Sequence, residues 1–296
     1  MPNEFSTLQL RDWLVQACLA EVLSEKPGNV SPSHPFGSIT VEDFCCSAQA
    51  ASPILAKATP TTVGRTIYEA ARATREAVGH NTNLGILLLL APMAAVPASV
   101  TLSAGLPTVL SGLTVQDADW TYRAIRVAAP GGLGKAEVQD VHDRPTETLL
   151  QCMRYAATHD LIALQYSSDF RDVLTVGLDW LTDSPRHAEG PHRIGWLALK
   201  LLSQYGDSLI VRKSGKRTAD RVQRQATEVL TAGWPGKKGT NRLYAEFDAY
   251  LRSDGNRLNP GTTADMIAAI IFAGLRSGRY SVDAALLHQI NSQESP

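Results

Sequence analysis

Aromatic side chains, excess charge of either sign and paired cysteines are all scarce in this sequence of 296 residues. Phe, Trp and Tyr together make up 6% of it, which disfavours a surface that stacks the bases of single-stranded nucleic acid. The formal net charge is −1, so no overall field attracts the protein to nucleic acid or to an anionic membrane. The four cysteines lack the spacing of zinc ligands. The composition therefore predicts local recognition of small partners, without nucleic acid and without structural zinc.

Targeting and membrane signals are also missing. The first ten residues contain no basic segment followed by an apolar run, so no signal peptide is predicted. The most apolar stretch, residues 84–100, is interrupted by Pro92 and Pro97 and is shorter than the roughly 20 residues that a bilayer requires. We therefore expect a cytoplasmic protein that does not associate with membranes.

Alternating runs of Val, Ile and Thr are nearly absent, which excludes a substantial β-sheet. Apolar residues instead recur at three- and four-residue steps, as in amphipathic helices. The sequence predicts one compact all-α domain over residues 1–296, with residues 289–296 frayed. The predicted helices cover residues 8–23, 40–58, 61–78, 84–100, 114–128, 146–164, 168–181, 194–205, 219–231, 241–251 and 264–277.

The common nucleotide and hydrolase motifs do not occur. There is no GxGxxG after a strand, no GxxxxGK[ST], no HExxH and no GxSxG. A nucleotide site in this chain must therefore be built from helix ends and individual side chains.

Two loops in the first third of the chain suit phosphate binding. In the first, residues 26–30 (Lys-Pro-Gly-Asn-Val), a permissive glycine allows close backbone approach and a lysine supplies positive charge. The second, residues 79–85 (Gly-His-Asn-Thr-Asn-Leu-Gly), precedes the most apolar helix, whose N-terminus offers free N–H donors. Each loop is also compatible with a simple helix end.

Two further loops lie in the last third. Residues 207–216 combine Asp207, a candidate magnesium ligand, with the candidate phosphate-binding cations Arg212, Lys213 and Lys216. Residues 259–265 form another helix start, with Asp265 in the first turn. The alternative explanation is a solvated charged surface for residues 207–216 and ordinary helix capping for residues 259–265.

Taken in order, these loops resemble the motifs of the triphosphoribosyl-dephospho-CoA synthase family. That family shows an E…KPG-V segment, a G-NT--G segment, a D[ST]LI…G segment and a final PG-[ST]AD helix start. Here they appear as Glu21 with residues 26–30, residues 79–85, residues 207–210 with Gly215, and residues 260–265. A glycine-rich turn of the family matches residues 131–134. The resemblance spans about Leu8 to Leu275 and departs at Asn83 and Leu84, where the family has histidine and lysine.

The resemblance implies an all-helical transferase that moves the triphosphoribosyl unit of ATP to dephospho-CoA or a related acceptor and releases adenine. Glu21 and Asp207 are expected to hold Mg²⁺ brought with ATP. Asp265, Asp140 and His80 are candidate general bases, and His34 and the cluster 140–143 are further candidates for the site. The expected nucleotide- and phosphate-binding residues are Lys26, Gly28, Asn29, Gly79, Asn81, Thr82, Asn83, Gly85, Arg212 and Lys213.

Two alternatives follow from the departure at residues 83 and 84. The first alternative to the transferase is a divergent member that assembles a one-carbon carrier cofactor of the methanopterin type. The second is a non-catalytic helical protein that binds a nucleotide. The partners expected are a nucleotide and a CoA-like substrate, and the sequence leaves a homodimer open.

Overall fold

The computed structural model describes residues 5–37, 39–131, 134 and 138–294, and over these ranges the chain is helical and contains no β-strand. Two isolated antiparallel bridges, Ser31–His34 and Phe36–Ile39, lie in the loop after the first helix. The all-α prediction is therefore confirmed. Within the described part of the chain, no helix is both long enough and apolar enough to span a bilayer.

The described residues form fifteen α-helices, one π-helical segment and two short 3₁₀ turns. The first eight α-helices are α1 (Thr7–Leu23), α2 (Val41–Leu55), α3 (Val63–Val78), α4 (Leu84–Ala94), α5 (Leu102–Ser111), α6 (Val115–Ala128), α7 (Leu149–Ala156) and α8 (Leu161–Ser167). After the π-helical segment Asp172–Gly177 come α9 (Leu178–Thr182), the 3₁₀ turns Arg186–Ala188 and Gly190–His192, α10 (Arg193–Tyr205), α11 (Ser208–Ser214), α12 (Lys216–Ala232), α13 (Thr240–Arg252), α14 (Gly261–Ser277) and α15 (Ala284–Glu294).

Threonine capping boxes begin three of these helices. Thr40, Thr114 and Thr148 each accept a hydrogen bond from the backbone N–H three residues later, and the side chain at that third position returns a bond to the threonine backbone. Each box satisfies two N–H groups that a helix start would otherwise leave without partners. The cap expected at Thr40 is confirmed.

The main hydrophobic core surrounds α4 and α14. Both helices are apolar on nearly every face, as a helix packed on all sides must be. Helix α14 packs against α1, α4 and α10, and α3 packs between α2 and α6. A second cluster of buried apolar residues joins α10, α11, α12 and α13. The N-terminal ends of α4 and α14 carry the second and fourth motif segments.

Several boundaries differ from those predicted. The segment 146–164 is two helices, because Asp160 caps α8. The apolar helix from Leu84 ends at Ala94, and residues 207–216 contain α11. Helix α15 continues to Glu294 and Ile290 is buried against the core, and the fraying expected from residue 289 stays a prediction. Residues 295–296, and Gly132 and Leu133 of the glycine-rich turn, lie outside the described residues.

Candidate functional site

The centre of the candidate site is the contact between Asp265, in the first turn of α14, and Gly85, in the first turn of α4. A Cβ atom on Gly85 would lie 2.0 Å from Asp265 Oδ2 and 2.8 Å from Ile162 Cδ1 of α8. Only glycine leaves room for the carboxylate in this position. The second and fourth motif segments, about 180 residues apart in the chain, thus meet through one carboxylate.

The Asp265 carboxylate is enclosed but remains available. It is partly exposed, and no hydrogen bond from the described residues reaches it. Burial raises the pKa of Asp265 well above that of an ordinary aspartate, and the negative charges of Glu21, Asp207 and Asp160 raise it further. The positive charge of Arg212 opposes this shift. A carboxyl group with a raised pKa and free oxygens is suited to proton transfer near neutral pH.

Asp207 has a structural role that the sequence did not indicate. Its Oδ1 accepts hydrogen bonds from the backbone N–H groups of Leu209 and Ile210, at 2.9 and 3.1 Å, and so caps α11. Its Oδ2 accepts from the N–H and the hydroxyl of Thr263, both at 2.8 Å. Four donors occupy the lone-pair sites of a carboxylate that is 2% exposed. In this structure Asp207 positions the start of α14, and its expected role as a catalytic residue and magnesium ligand stays a prediction.

Glu21 and Lys26 form a buried ion pair. Lys26 Nζ lies 3.2 Å from Glu21 Oε1, and the side chains are 2% and 3% exposed. The ammonium also donates to the carbonyl oxygens of Glu21, Ser24 and Val30, which fixes the end of α1. All the donors of Lys26 have protein partners in this structure, and its predicted contact with phosphate stays a prediction. Glu21 is likewise held by Lys26, although its charge acts on Asp265.

The loop 26–30 is held by α13, a helix that the motif search passed over. Gly28 donates its N–H to Asp248 Oδ1 at 2.7 Å, and its φ of +70° favours glycine. Arg252 pairs with Asp248 at 2.9 Å and donates to the carbonyl oxygen of Asn29, also at 2.9 Å. The Asn29 side chain, in turn, accepts from the N–H of Val30 and donates to the carbonyl of Pro260.

Gly28 and Asn29 thus have protein partners in this structure, and their predicted phosphate-binding role stays a prediction. Asp248 and Arg252 are positioning residues that sequence reasoning missed. Their four-residue spacing on a helix looks like an ordinary surface ion pair, and only the fold reveals the loop beneath it.

Three residues of the loop 79–85 shape the start of α4 through contacts within the protein. Gly79 ends α3 with a φ of +78°, and the Oδ1 atom of Asn81 accepts the N–H of Leu84 at 3.0 Å. The hydroxyl of Thr82 donates to Ser47 at 2.7 Å. Gly79, Asn81 and Thr82 therefore shape the entry to α4, and their predicted contact with the nucleotide stays a prediction.

Asn83 and Leu84 stand where the family has histidine and lysine. Leu84 is 8% exposed and belongs to the core, so no charge occupies this position. Asn83 is 6% exposed, yet its side-chain amide makes no hydrogen bond with any described residue. Its amide is not among the buried polar atoms that lack a partner in the described residues, so it is reached by solvent and is available to a ligand.

Arg212 and Lys213 supply positive charge beside the site. Arg212 Nη1 lies 3.3 Å from Asp160 Oδ2 and is partly exposed. Lys213 has no carboxylate partner among the described residues, and a Cβ atom on Gly131 would lie 3.8 Å from its Cε. Burial lowers the pKa of Lys213, as does the charge of Arg212. These two cations remain candidates for phosphate binding.

The imidazoles and the 140–143 cluster have local partners. His80 Nε2 lies 3.8 Å from Asp43 Oδ2 at the start of α2, and His34 pairs with Glu25 at 3.5 Å. Asp140 accepts the N–H of His142 at 2.8 Å and so shapes its own loop. These contacts tie each group to its own loop or helix end, and the catalytic role of His80 stays a prediction.

The residues expected to hold magnesium do not fit that ion in this arrangement. The oxygens of Asp207 are occupied and Glu21 is paired with Lys26. Over the described ranges, no three His, Cys, Asp or Glu side chains come close enough together to hold a metal ion. The site therefore presents one free carboxylate and two cations rather than a resident metal cage.

Comparisons with known proteins agree with the motif order. A model of the ATP:dephospho-CoA triphosphoribosyl transferase family matches residues 7–283. A search of curated proteins returns no match. Among solved structures, the fold is similar to a crystal structure from Archaeoglobus fulgidus that is provisionally named a triphosphoribosyl-dephospho-CoA synthase, with a TM-score of 0.63 and 22% sequence identity. The similarity covers 79% of this chain and 99% of that one, and at this identity it supports the fold alone.

Proposed function

The chain belongs to the ATP:dephospho-CoA triphosphoribosyl transferase family, and from this membership we propose that it transfers the triphosphoribosyl unit of ATP to a hydroxyl group of dephospho-CoA or a related acceptor. The observation that carries the proposal is the free carboxylate of Asp265 at the junction of four motif segments. The two cations beside it supply charge for a triphosphate.

The reaction breaks the bond between C1′ of the ribose and N9 of adenine and forms a bond between C1′ and the acceptor oxygen. Positive charge develops on the ribosyl carbon while the base departs, so a nearby carboxylate stabilises the transition state. The acceptor hydroxyl loses its proton and the departing adenine gains one, which balances the transfer.

Asp265 is the residue we assign to the acceptor proton. Its carboxylate is partly exposed, accepts no hydrogen bond from the described residues and has a raised pKa, which makes it a stronger base than an ordinary aspartate. Glu21 and Asp207 act on Asp265 through their charge, and Asp207 also fixes the backbone of α14 through Thr263. These two acids are positioning residues rather than groups that touch substrate.

The polar groups of the substrates have two sets of partners. We assign the triphosphate to Arg212 and Lys213, and a polar atom of the nucleotide or acceptor to the amide of Asn83. Magnesium enters as the counter-ion of ATP, and no step is assigned to it. The cytoplasmic location and the homodimer stay predictions; four free cysteines suit a reducing compartment.

The test is the release of adenine. Purified protein is incubated with ATP, magnesium and dephospho-CoA, and free adenine is measured together with the mass of the modified acceptor. We expect one adenine per modified acceptor. Asp265→Asn should lower the rate by about 10²–10⁴-fold, the usual contribution of a positioned general base. Asp12→Asn, which changes an exposed carboxylate on α1, is the matched control and should leave the rate unchanged.

Three outcomes separate the alternatives. Binding of ATP without adenine release for any acceptor identifies a non-catalytic nucleotide-binding protein. Release only with another hydroxyl-bearing acceptor, such as a precursor of a one-carbon carrier, keeps the ribosyl chemistry and changes the acceptor. An Asp265→Asn variant with full activity overturns the assignment of the base.

A further inference from the structure

A pocket outside the Asp265 site combines three arginines with a histidine. Its cavity volume is about 390 Å³, and it is lined by Asp119, Arg123, Arg126, His142, Asp143 and Arg144. This volume lies within the range of about 300–1,000 Å³ that is usual for small-molecule sites. We call it the arginine pocket. It contains the His142 segment that the sequence singled out and that the proposed reaction does not use.

The arginines come from two elements and converge on one space. Arg123 and Arg126 are three residues apart on α6, so they share a face of that helix. Arg144 and His142 come from the loop between α6 and α7. Guanidinium groups have donors in a planar fork that matches the oxygens of phosphate.

The charges in the pocket leave donors available. Arg123 Nη2 pairs with Asp119 Oδ2 at 2.7 Å, and Arg126 donates to the carbonyl oxygen of Val141. Arg144 is exposed and has no hydrogen bond or ion pair with any of the described residues. Asp143 is the second carboxylate of the pocket, so three guanidinium groups and an imidazole face two carboxylates. The pocket therefore favours an anion with more than one charge.

The loop that carries Arg144 is held in a defined shape. Gln139 exchanges hydrogen bonds with Thr146, at 2.7 and 3.2 Å, and its carbonyl accepts the hydroxyl of Tyr122 at 2.6 Å. Asp140 accepts the N–H of His142. Gln139 also has a φ of +55°, a backbone conformation that a non-glycine residue adopts only when its surroundings impose it. Such a loop presents its cations with little loss of entropy on binding.

The chain that leaves the arginine pocket leads to the Asp265 site. Gly131 lies five positions after Arg126 in the chain, so their Cα atoms are at most ~18 Å apart. Gly131 lies against Lys213, and Lys213 belongs to the helix capped by Asp207. The arginine pocket and the phosphate-binding cations of the proposed site are therefore within reach of one extended substrate.

We propose that the arginine pocket binds the diphosphate group of the acceptor substrate. The proposal rests on the proposed function, since the triphosphate of ATP is assigned to Arg212 and Lys213. The ligand class is a diphosphate-bearing nucleotide such as dephospho-CoA. Arg126 and Arg144 hold its phosphate oxygens, while the acceptor hydroxyl extends toward Asp265.

The first experiment measures anion binding without catalysis. Inorganic diphosphate is titrated by calorimetry into the intact protein, into Arg144→Ala and into Arg126→Ala/Arg144→Ala. We expect the double variant to bind at least about tenfold more weakly. Arg242→Ala removes an exposed arginine from α13 and is the matched control, which should bind like the wild type. The single variant Arg144→Ala keeps the test decisive, because Arg144 is exposed and makes no hydrogen bond or ion pair with a described residue.

The second experiment identifies the source of the diphosphate. If the acceptor supplies it, Arg144→Ala raises KM for dephospho-CoA and leaves KM for ATP unchanged. A rise in KM for ATP alone overturns the assignment to the acceptor, and unchanged diphosphate binding overturns the pocket. If the wild type releases no adenine at all, the proposed function fails, while the calorimetry still decides whether the pocket binds diphosphate.

Discussion

At the residue scale, two aspartates of the same motif set have opposite environments. Asp207 is occupied by four donors, whereas Asp265 has none among the described residues and faces solvent in part. The sequence singled out both, because a carboxylate beside glycines and cations suits phosphate chemistry. It could not assign their roles, because the donors to Asp207 include Thr263, which lies 56 residues away in the chain.

The raised pKa of Asp265 predicts a particular dependence of stability on pH. A carboxyl group whose pKa is raised by folding favours the native state when protonated, and this contribution is lost as the pH rises through the native pKa. Asp265→Asn removes the charge and keeps the shape. We therefore expect the variant to have a higher Tm than the wild type at pH 8, with a difference that shrinks as the pH falls toward the unfolded value of about 4.

The measurement is thermal unfolding from pH 4 to pH 8 for the wild type, Asp265→Asn and the control Asp12→Asn. A difference in Tm that grows toward acid pH contradicts the sign of the shift. If Asp265→Asn unfolds at a higher temperature and also loses adenine release, the carboxylate lowers the stability of the protein and is needed for its function.

At the element scale, hydrophobic periodicity predicted most of the long helices, missed α5 and α15, and did not resolve the short helices. Helices α3 and α6 have a regular apolar face, and α6 also has a threonine start, both of which can be read from the sequence. The seven-residue helices α8 and α11 are too short for periodicity to reveal. Each is instead defined by an aspartate N-cap, Asp160 and Asp207, which the sequence analysis interpreted as part of a helix and as a metal ligand.

The cap formed by Asp207 predicts a loss of stability rather than a loss of metal. Asp207→Ala removes the partners of two N–H groups of α11 and of both donors of Thr263. We expect the free energy of unfolding to fall by about 2–5 kcal/mol, from the lost cap and the unsatisfied buried donors. Asp283→Ala, which removes the exposed cap of α15, should cost about 1 kcal/mol.

Urea denaturation measures the free energy of unfolding of both variants. An Asp207→Ala variant that is as stable as the wild type but needs more magnesium for activity restores the metal assignment.

At the scale of the whole molecule, the site depends on contacts between distant parts of the chain. The second hydrophobic cluster carries α13, and α13 holds the loop 26–30 through Asp248 and Arg252. Asn29 passes this constraint to Pro260, at the start of α14. The order of the motifs predicted that the four segments would converge. The clamp from α13 could not be predicted, because Asp248 and Arg252 resemble any exposed i,i+4 pair until the fold places Gly28 beside them.

The clamp predicts that a change in α13 reaches the site more than 200 residues away in the chain. Arg252→Ala removes the donor to the Asn29 carbonyl and the partner of Asp248. We expect faster amide hydrogen exchange at residues 28–31 and 261–264, and weaker binding of ATP, because these segments lose their shared support.

Arg242→Ala breaks an exposed pair on the same helix and is the matched control. Exchange measured by mass spectrometry should show no change in α5 for either variant. If Arg252→Ala affects only peptides of α13, the loop is held by the Glu21–Lys26 pair alone, and the site is less dependent on the second cluster than the contacts indicate.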